Sequence, residues 1–174
     1  MTPSKPRLTD THAHICDSAF DKDRAEVLER ARQACVGAII AVGENLADAR
    51  KNLELAKKYP ILKPAAGLYP SVPDLNQVGE MADYIRQNQP RLVAIGEVGL
   101  DYWLAKEDSE KERQREIFKI FINLSKELNL PLNVHSRSAG RHAIALLLEN
   151  NAARVQMHAF DGKAAAALPA VEAG

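Results

Sequence analysis

The amino-acid sequence predicts an α/β protein built as a (β/α)8 TIM barrel, of which about six βα units are present. Three observations predict it. Short apolar runs alternate without interruption with amphipathic segments, and such βα alternation argues for a parallel sheet with right-handed crossovers. The turn after the first strand carries neither GxGxxG nor a GxxxxGK phosphate loop, which removes the main support for an open nucleotide-binding sheet. Residues able to bind metal follow several of the apolar runs, at the strand ends where a barrel gathers its active site. A full barrel needs eight units and about 250 residues; this chain has 174.

Each element has its own signal. The opening stretch LTDTHAH (residues 8–14) reads as a short buried strand, and alternation sends His12 and His14 to one face. Residues 23–34 space Ala25, Leu28, Ala31 and Ala34 between charges, as a surface helix does. VGAIIAV (36–42), closed by Gly43, suits a strand covered on both sides. A helix over 46–59 is stopped by Pro60, and ILKPAAGL (61–68) is the third strand, with Pro64 its least strand-like residue. A helix over 74–89 and a strand over 92–98 (LVAIGEV) follow. Residues 107–129 form a long charged helix whose apolar side is Ile117, Phe118, Phe121, Ile122, Leu124 and Leu128. LPLNV (130–134) leads as the fifth strand into His135. Residues 139–149 are the next helix, ARVQM (153–157) the sixth strand, and 163–173 a helical start broken by Pro169.

Composition narrows the function classes. Lys plus Arg (23) balance Asp plus Glu (23), so any nucleic-acid footprint is small. Cys16 and Cys35 are too few for a disulfide framework and lack CxxC spacing, which implies reduced thiols in a cytoplasmic or nuclear setting. Residues 1–7 are polar and carry no secretion signal, and no apolar run reaches the roughly 18 residues of a transmembrane helix.

The candidate site comes from the strand ends. The first strand ends in His12 and His14, the fourth in Glu97, the fifth in His135 and the sixth in His158. In a barrel these ends surround one mouth, so side chains far apart in sequence converge. Imidazoles with a carboxylate suit zinc, manganese or similar ions, and a carboxylate can bridge two metals about 3.5–4 Å apart. Hydrolysis of a phosphodiester, an amide or a lactone is the natural use of such a pair. His142, inside a helix beside Arg141, reads as a helix-surface residue and stays outside the set.

DTHAH (10–14), GLYP (67–70), AIGEVGLDY (94–102), LPLNVHSRSAG (130–140) and MHAFDG (157–162) resemble, in order, the motifs of the TatD-related metal-dependent deoxyribonucleases of the amidohydrolase superfamily. The wording is nearest to the eukaryotic members. The resemblance implies a (β/α)8 barrel that hydrolyses phosphodiester bonds of DNA, or of RNA, from an end. It implies two divalent ions, zinc, manganese or magnesium. His12 and His14 would hold one, His135 and His158 the second, and Glu97 would bridge them as the catalytic carboxylate. Arg137 would contact a phosphate, and Asp101 would orient a ligand or form a turn. Tyr69 replaces the histidine of the family's GxHP motif but can still donate to a phosphate or base.

The family's last ligand is an aspartate at the end of the eighth strand. The chain is therefore expected to be a single hydrolase domain over residues 1–174, incomplete at its C-terminal side. Two alternatives stand beside the nuclease. One is an amidohydrolase acting on a small cyclic amide, lactone or phosphotriester, although such enzymes commonly carry a carboxylated lysine where this chain has Glu97. The other is a non-catalytic metal-binding protein, motivated by the missing aspartate. The oligomeric state is not legible.

Overall fold

A computed structural model of the chain describes residues 8–71 and 75–173. Six parallel strands, β1 (Leu8–Ala13), β2 (Val36–Ala41), β3 (Leu62–Ala66), β4 (Ala94–Gly99), β5 (Leu132–His135) and β6 (Val155–Met157), stand side by side in chain order. Helices α1 (Arg24–Gln33), α2 (Leu46–Lys58), α3 (Leu75–Asn88), α4 (Asp108–Leu128) and α5 (Gly140–Glu149) fill the crossovers, and α6 (Ala164–Ala173) follows β6. The expected helix over 74–89 is α3, with Asp74 outside the described residues, as are residues 1–7. The sheet curls into a nearly closed barrel. Asn133 of β5 reaches back to β1, where its Nδ2 donates to the Thr11 carbonyl at 2.7 Å. Among the described residues no helix is long and apolar enough to cross a membrane.

The long helix α4 shows how sequence sets an element. Glu107 and Glu110 form a reciprocal capping box at its start, and Asn129 ends it in the left-handed conformation (φ 54°). Between the caps, Ile117, Phe118, Phe121, Ile122 and Leu124 recur at helical spacing and are buried. They belong to the main core with Ile95 and Val98 of β4, Leu132 and Val134 of β5, and Met81 and Ile85 of α3.

Three expectations need correction or refinement. β1 is not buried. Among the described residues it forms a sheet edge, paired with β2 alone, and Leu8 through Thr11 are exposed. Pro169 does not break the last helix, since α6 runs through it. The carbonyl that loses its partner is that of Ala165, at an exposed position, while α6 packs against α5 on its other side. Pro64 is accommodated because the β3–β4 ladder begins only at Ala65 opposite Ala94, so its missing N–H falls at the ladder's start.

β4 and β5 end together, with Gly99 opposite His135. Gly99 has φ +142°, and a Cβ there would lie 2.1 Å from the His135 carbonyl oxygen. Only glycine permits this close approach.

Two denaturant titrations check this account. Phe121→Ala is expected to cost about 3–5 kcal/mol, because the emptied core site can collapse only in part. Gly99→Ala is expected to cost at least about 2 kcal/mol through backbone strain and the clash beside His135.

Candidate metal centre

Parallel strands leave the sheet in one direction, so their C-terminal ends gather the polar residues that follow each apolar run. His12 lies in β1 and His14 just beyond it, Glu97 in β4, His135 at the end of β5, and His158 directly after β6. The Glu97 side chain, 2% exposed, is the centre of the group. Its Oε2 faces His14 Nε2 at 3.1 Å and His12 Nε2 at 3.7 Å. Its Oε1 faces His135 Nδ1 at 2.7 Å and His158 Nε2 at 3.1 Å. The nitrogens also face one another, with 3.2 Å both between His12 Nε2 and His14 Nε2 and between His135 Nδ1 and His158 Nε2. The His12 and His158 rings stack at 3.7 Å. All five residues chosen from the strand ends thus meet in one cluster.

The outer nitrogens fix how two of these rings are used. Asn133 donates through Nδ2 to Thr11, which turns its Oδ1 toward His12 Nδ1 at 2.8 Å. His12 therefore donates from Nδ1, and when neutral it presents the Nε2 lone pair toward Glu97. His135 Nε2 lies 3.1 Å from Asp101 Oδ2, so its Nδ1 lone pair faces Glu97 in the same way. Burial lowers the His12 pKa despite the bond to Asn133, which favours this neutral form. The Glu97 carboxylate, 3.1 Å from its Nε2, instead raises His14, against the effect of burial. For Glu97, burial pushes the carboxyl up, but the His135, His14 and His158 imidazoles around it outweigh that and hold the group well below the usual carboxylate range.

This donor set fits a divalent cation. Protons on all the inner nitrogens would crowd like charges about 3 Å apart, whereas a cation accepting their lone pairs removes that repulsion. Glu97 Oε2 is buried and has no hydrogen bond of good geometry within the described residues, although two ring nitrogens face it. The ligand atoms of His12, Glu97 and His158 lie within 4.8 Å of one another, close enough to hold one ion. Cys16 is turned elsewhere. Its buried thiol, pushed by desolvation to about 11, donates to the Val42 carbonyl.

A second carboxylate organises the rim. Asp101 is fully buried, and its Oδ2 accepts from Tyr69 Oη (2.6 Å) and from Arg137 Nε (3.0 Å) and Nη2 (2.8 Å), besides facing His135. Its Oδ1 accepts from the backbone N–H groups of Trp103 and Leu104. Asp101 is thus both the turn former and the group behind a histidine. Burial pushes its pKa up, but Arg137 and Tyr69 reverse the shift and hold it below the usual value. Tyr69, expected beside substrate, donates its hydroxyl hydrogen bond to Asp101, and its ring packs edge-on to His135 at 4.9 Å. Arg137 remains 42% exposed. His142 lies apart in α5, with Arg141 Nε donating to it and its ring against Tyr102.

Sequence reasoning missed Asn133 and Gln114. Each stands where an apolar residue would fit, Asn133 within LPLNV and Gln114 on the buried side of α4, and that misplacement was the available signal. Gln114 Oε1 accepts from the Asp101 N–H, and its Nε2 donates to the Pro70 and Asp101 carbonyls, which pins the β3 and β4 loops together.

Known proteins resemble this chain in sequence and fold. Over residues 9–174 the chain matches the model of the TatD related DNase family. It is 40% identical over 179 residues to human deoxyribonuclease TATDN3, covering 96% of this chain and 65% of that protein. It is 33% identical over 143 residues to the 3'-5' ssDNA/RNA exonuclease TatD of Salmonella typhimurium, covering 80% of this chain and 54% of that one. The crystal structure of YJJV, a TatD homolog from Escherichia coli, matches with a TM-score of 0.87 at 30% identity, covering 97% of this chain and 66% of that one. The chain spans 61–66% of the length of the mouse, human and zebrafish relatives it matches. On this sequence and structural likeness, the chain belongs to the TatD related DNase family.

Proposed function

We propose that the chain carries the metal centre of a divalent-metal-dependent nuclease that hydrolyses phosphodiester bonds of DNA from an end. The observation that supports this best is the pair of imidazoles, His12 and His135, tied from outside by Asn133 and Asp101 and facing Glu97 from inside. Outer carboxylates and amides of this kind set the tautomer and raise the basicity of metal-binding histidines. His12, His14 and Glu97 would hold one ion, and Glu97, His135 and His158 a second, with zinc, manganese or magnesium as the metal. Bound there, the ions would supply an activated water and offset charge developing on the phosphate oxygens.

The chain's own residues do the rest. Glu97, held ionised by its histidine neighbours, would serve both ions as the catalytic bridging carboxylate. Arg137, anchored by Asp101 with its guanidinium partly exposed, would take a phosphate oxygen through its planar fork. Tyr69 would border that phosphate beside Arg137 while keeping Asp101 in place. The names of the human and Salmonella relatives favour DNA as substrate, with RNA as a second one. Glu97, in place of a lysine able to be carboxylated, favours this reading over hydrolysis of a cyclic amide or lactone. A cytoplasmic or nuclear setting accords with the free thiols of Cys16 and Cys35.

The full-length protein is expected to release nucleotides from a labelled DNA end when supplied with divalent ions, and to stop when they are chelated. Glu97→Ala and His135→Ala should each lower that rate at least roughly 100-fold; unchanged rates in both would overturn the reading. Calorimetric titration with zinc or manganese gives a separate check on the support around the ligands. Asn133→Ala is expected to weaken metal affinity about 10–100-fold by releasing the His12 ring.

A further inference from the structure

The loop after β4 holds an indole in solvent beside the site. Trp103 is 56% exposed and Leu104 39%, although large apolar groups are ordinarily buried. This exposure is not slack in the loop, because the backbone N–H groups of both residues donate to Asp101 Oδ1 at 2.9 and 3.0 Å. The guanidinium carbon of Arg137 lies 4.3 Å from the Trp103 ring centroid, and Lys106 Nζ lies 5.7 Å from it. Arg137 in turn holds Asp101, which holds His135. The nuclease chemistry proposed above makes no use of Trp103 or Lys106.

We propose that Trp103 is a stacking platform for a nucleobase of a single-stranded nucleic-acid end, with the adjoining phosphate at Arg137 and Lys106. This rests on the nuclease reading and specifies its substrate. An anchored indole, more than half exposed and with two cations over its ring, matches a flat π system carrying an anionic phosphate, the base sharing the indole with the guanidinium. Bases stacked inside a duplex hide their faces, so such a platform selects unpaired ends. Because every base has a π face, it selects them without regard to sequence. The balanced net charge agrees, since stacking supplies affinity that a weak positive field does not.

The test uses the metal-loaded full-length protein and two phosphorothioate strands of equal length that resist hydrolysis, one carrying bases and one abasic. Trp103→Ala is expected to weaken binding of the base-bearing strand roughly fivefold to hundredfold and to leave the abasic strand unaffected. Trp103→Phe should retain most of the affinity. Tryptophan fluorescence should be quenched by the base-bearing strand in the wild type, and that change should be absent from Trp103→Phe. Equal loss on both strands, or no loss on either, would overturn the proposal. If Trp103→Ala binds like wild type while metal-dependent cleavage of ordinary DNA still requires Glu97, the platform fails and the nuclease reading stands. If the wild type neither binds nor cleaves any strand, both fail.

Discussion

A carboxylate buried to within 2% of complete enclosure is the constraint on which this structure turns. Placing an ionised group such as Glu97 in the interior costs several kcal/mol unless opposite charge or strong donors surround it. That is comparable with the whole stability margin of a domain. The groups that face it are imidazole nitrogens from three other strands, two on each carboxylate oxygen, and a cation held among them would supply the opposite charge. β1, β5 and β6 must therefore end at one height and turn their histidines inward. The close approach of β4 to β5 at Gly99 is part of the same requirement.

Asp101 repeats this logic one layer further out. Its carboxylate gathers Tyr69 from the loop after β3, the Trp103 and Leu104 backbones from the loop after β4, and Arg137 from the loop after β5. Three loops that would otherwise move independently share one anion. Gln114 adds α4 to the same knot. Arg137 is therefore anchored at one edge and open at the other, so less side-chain entropy remains to be lost when it meets an anion.

Much of this was legible in the sequence, and the boundary has physical causes. The alternation of apolar runs with amphipathic segments specified the parallel barrel because buried strands and one-sided helices have distinct periods. His12, His14, Glu97, His135 and His158 were legible because each lies at the end of a predicted strand, and topology alone brings such positions together. Asn133 was hidden because one amide inside an apolar strand leaves the pattern intact, and its partner in β1 is 121 residues away. The dual role of Asp101 and the hydrogen bond it accepts from Tyr69 depend on loop conformation, which periodicity does not encode. The exposure of β1 reflects which strands pair with it, a tertiary fact, and the passage of α6 through Pro169 depends on packing against α5.

The Asn133 tie also sets an order of events during synthesis. His12 and His14 leave the ribosome early, but the amide that fixes the His12 ring lies 121 residues later. At about 5–20 residues per second that interval is roughly 6–24 s. For that time the His12 ring lacks the amide that orients it. The fifth strand, on arriving, fixes that ring beside Glu97. Any selectivity of such a site among metals would therefore await the fifth strand.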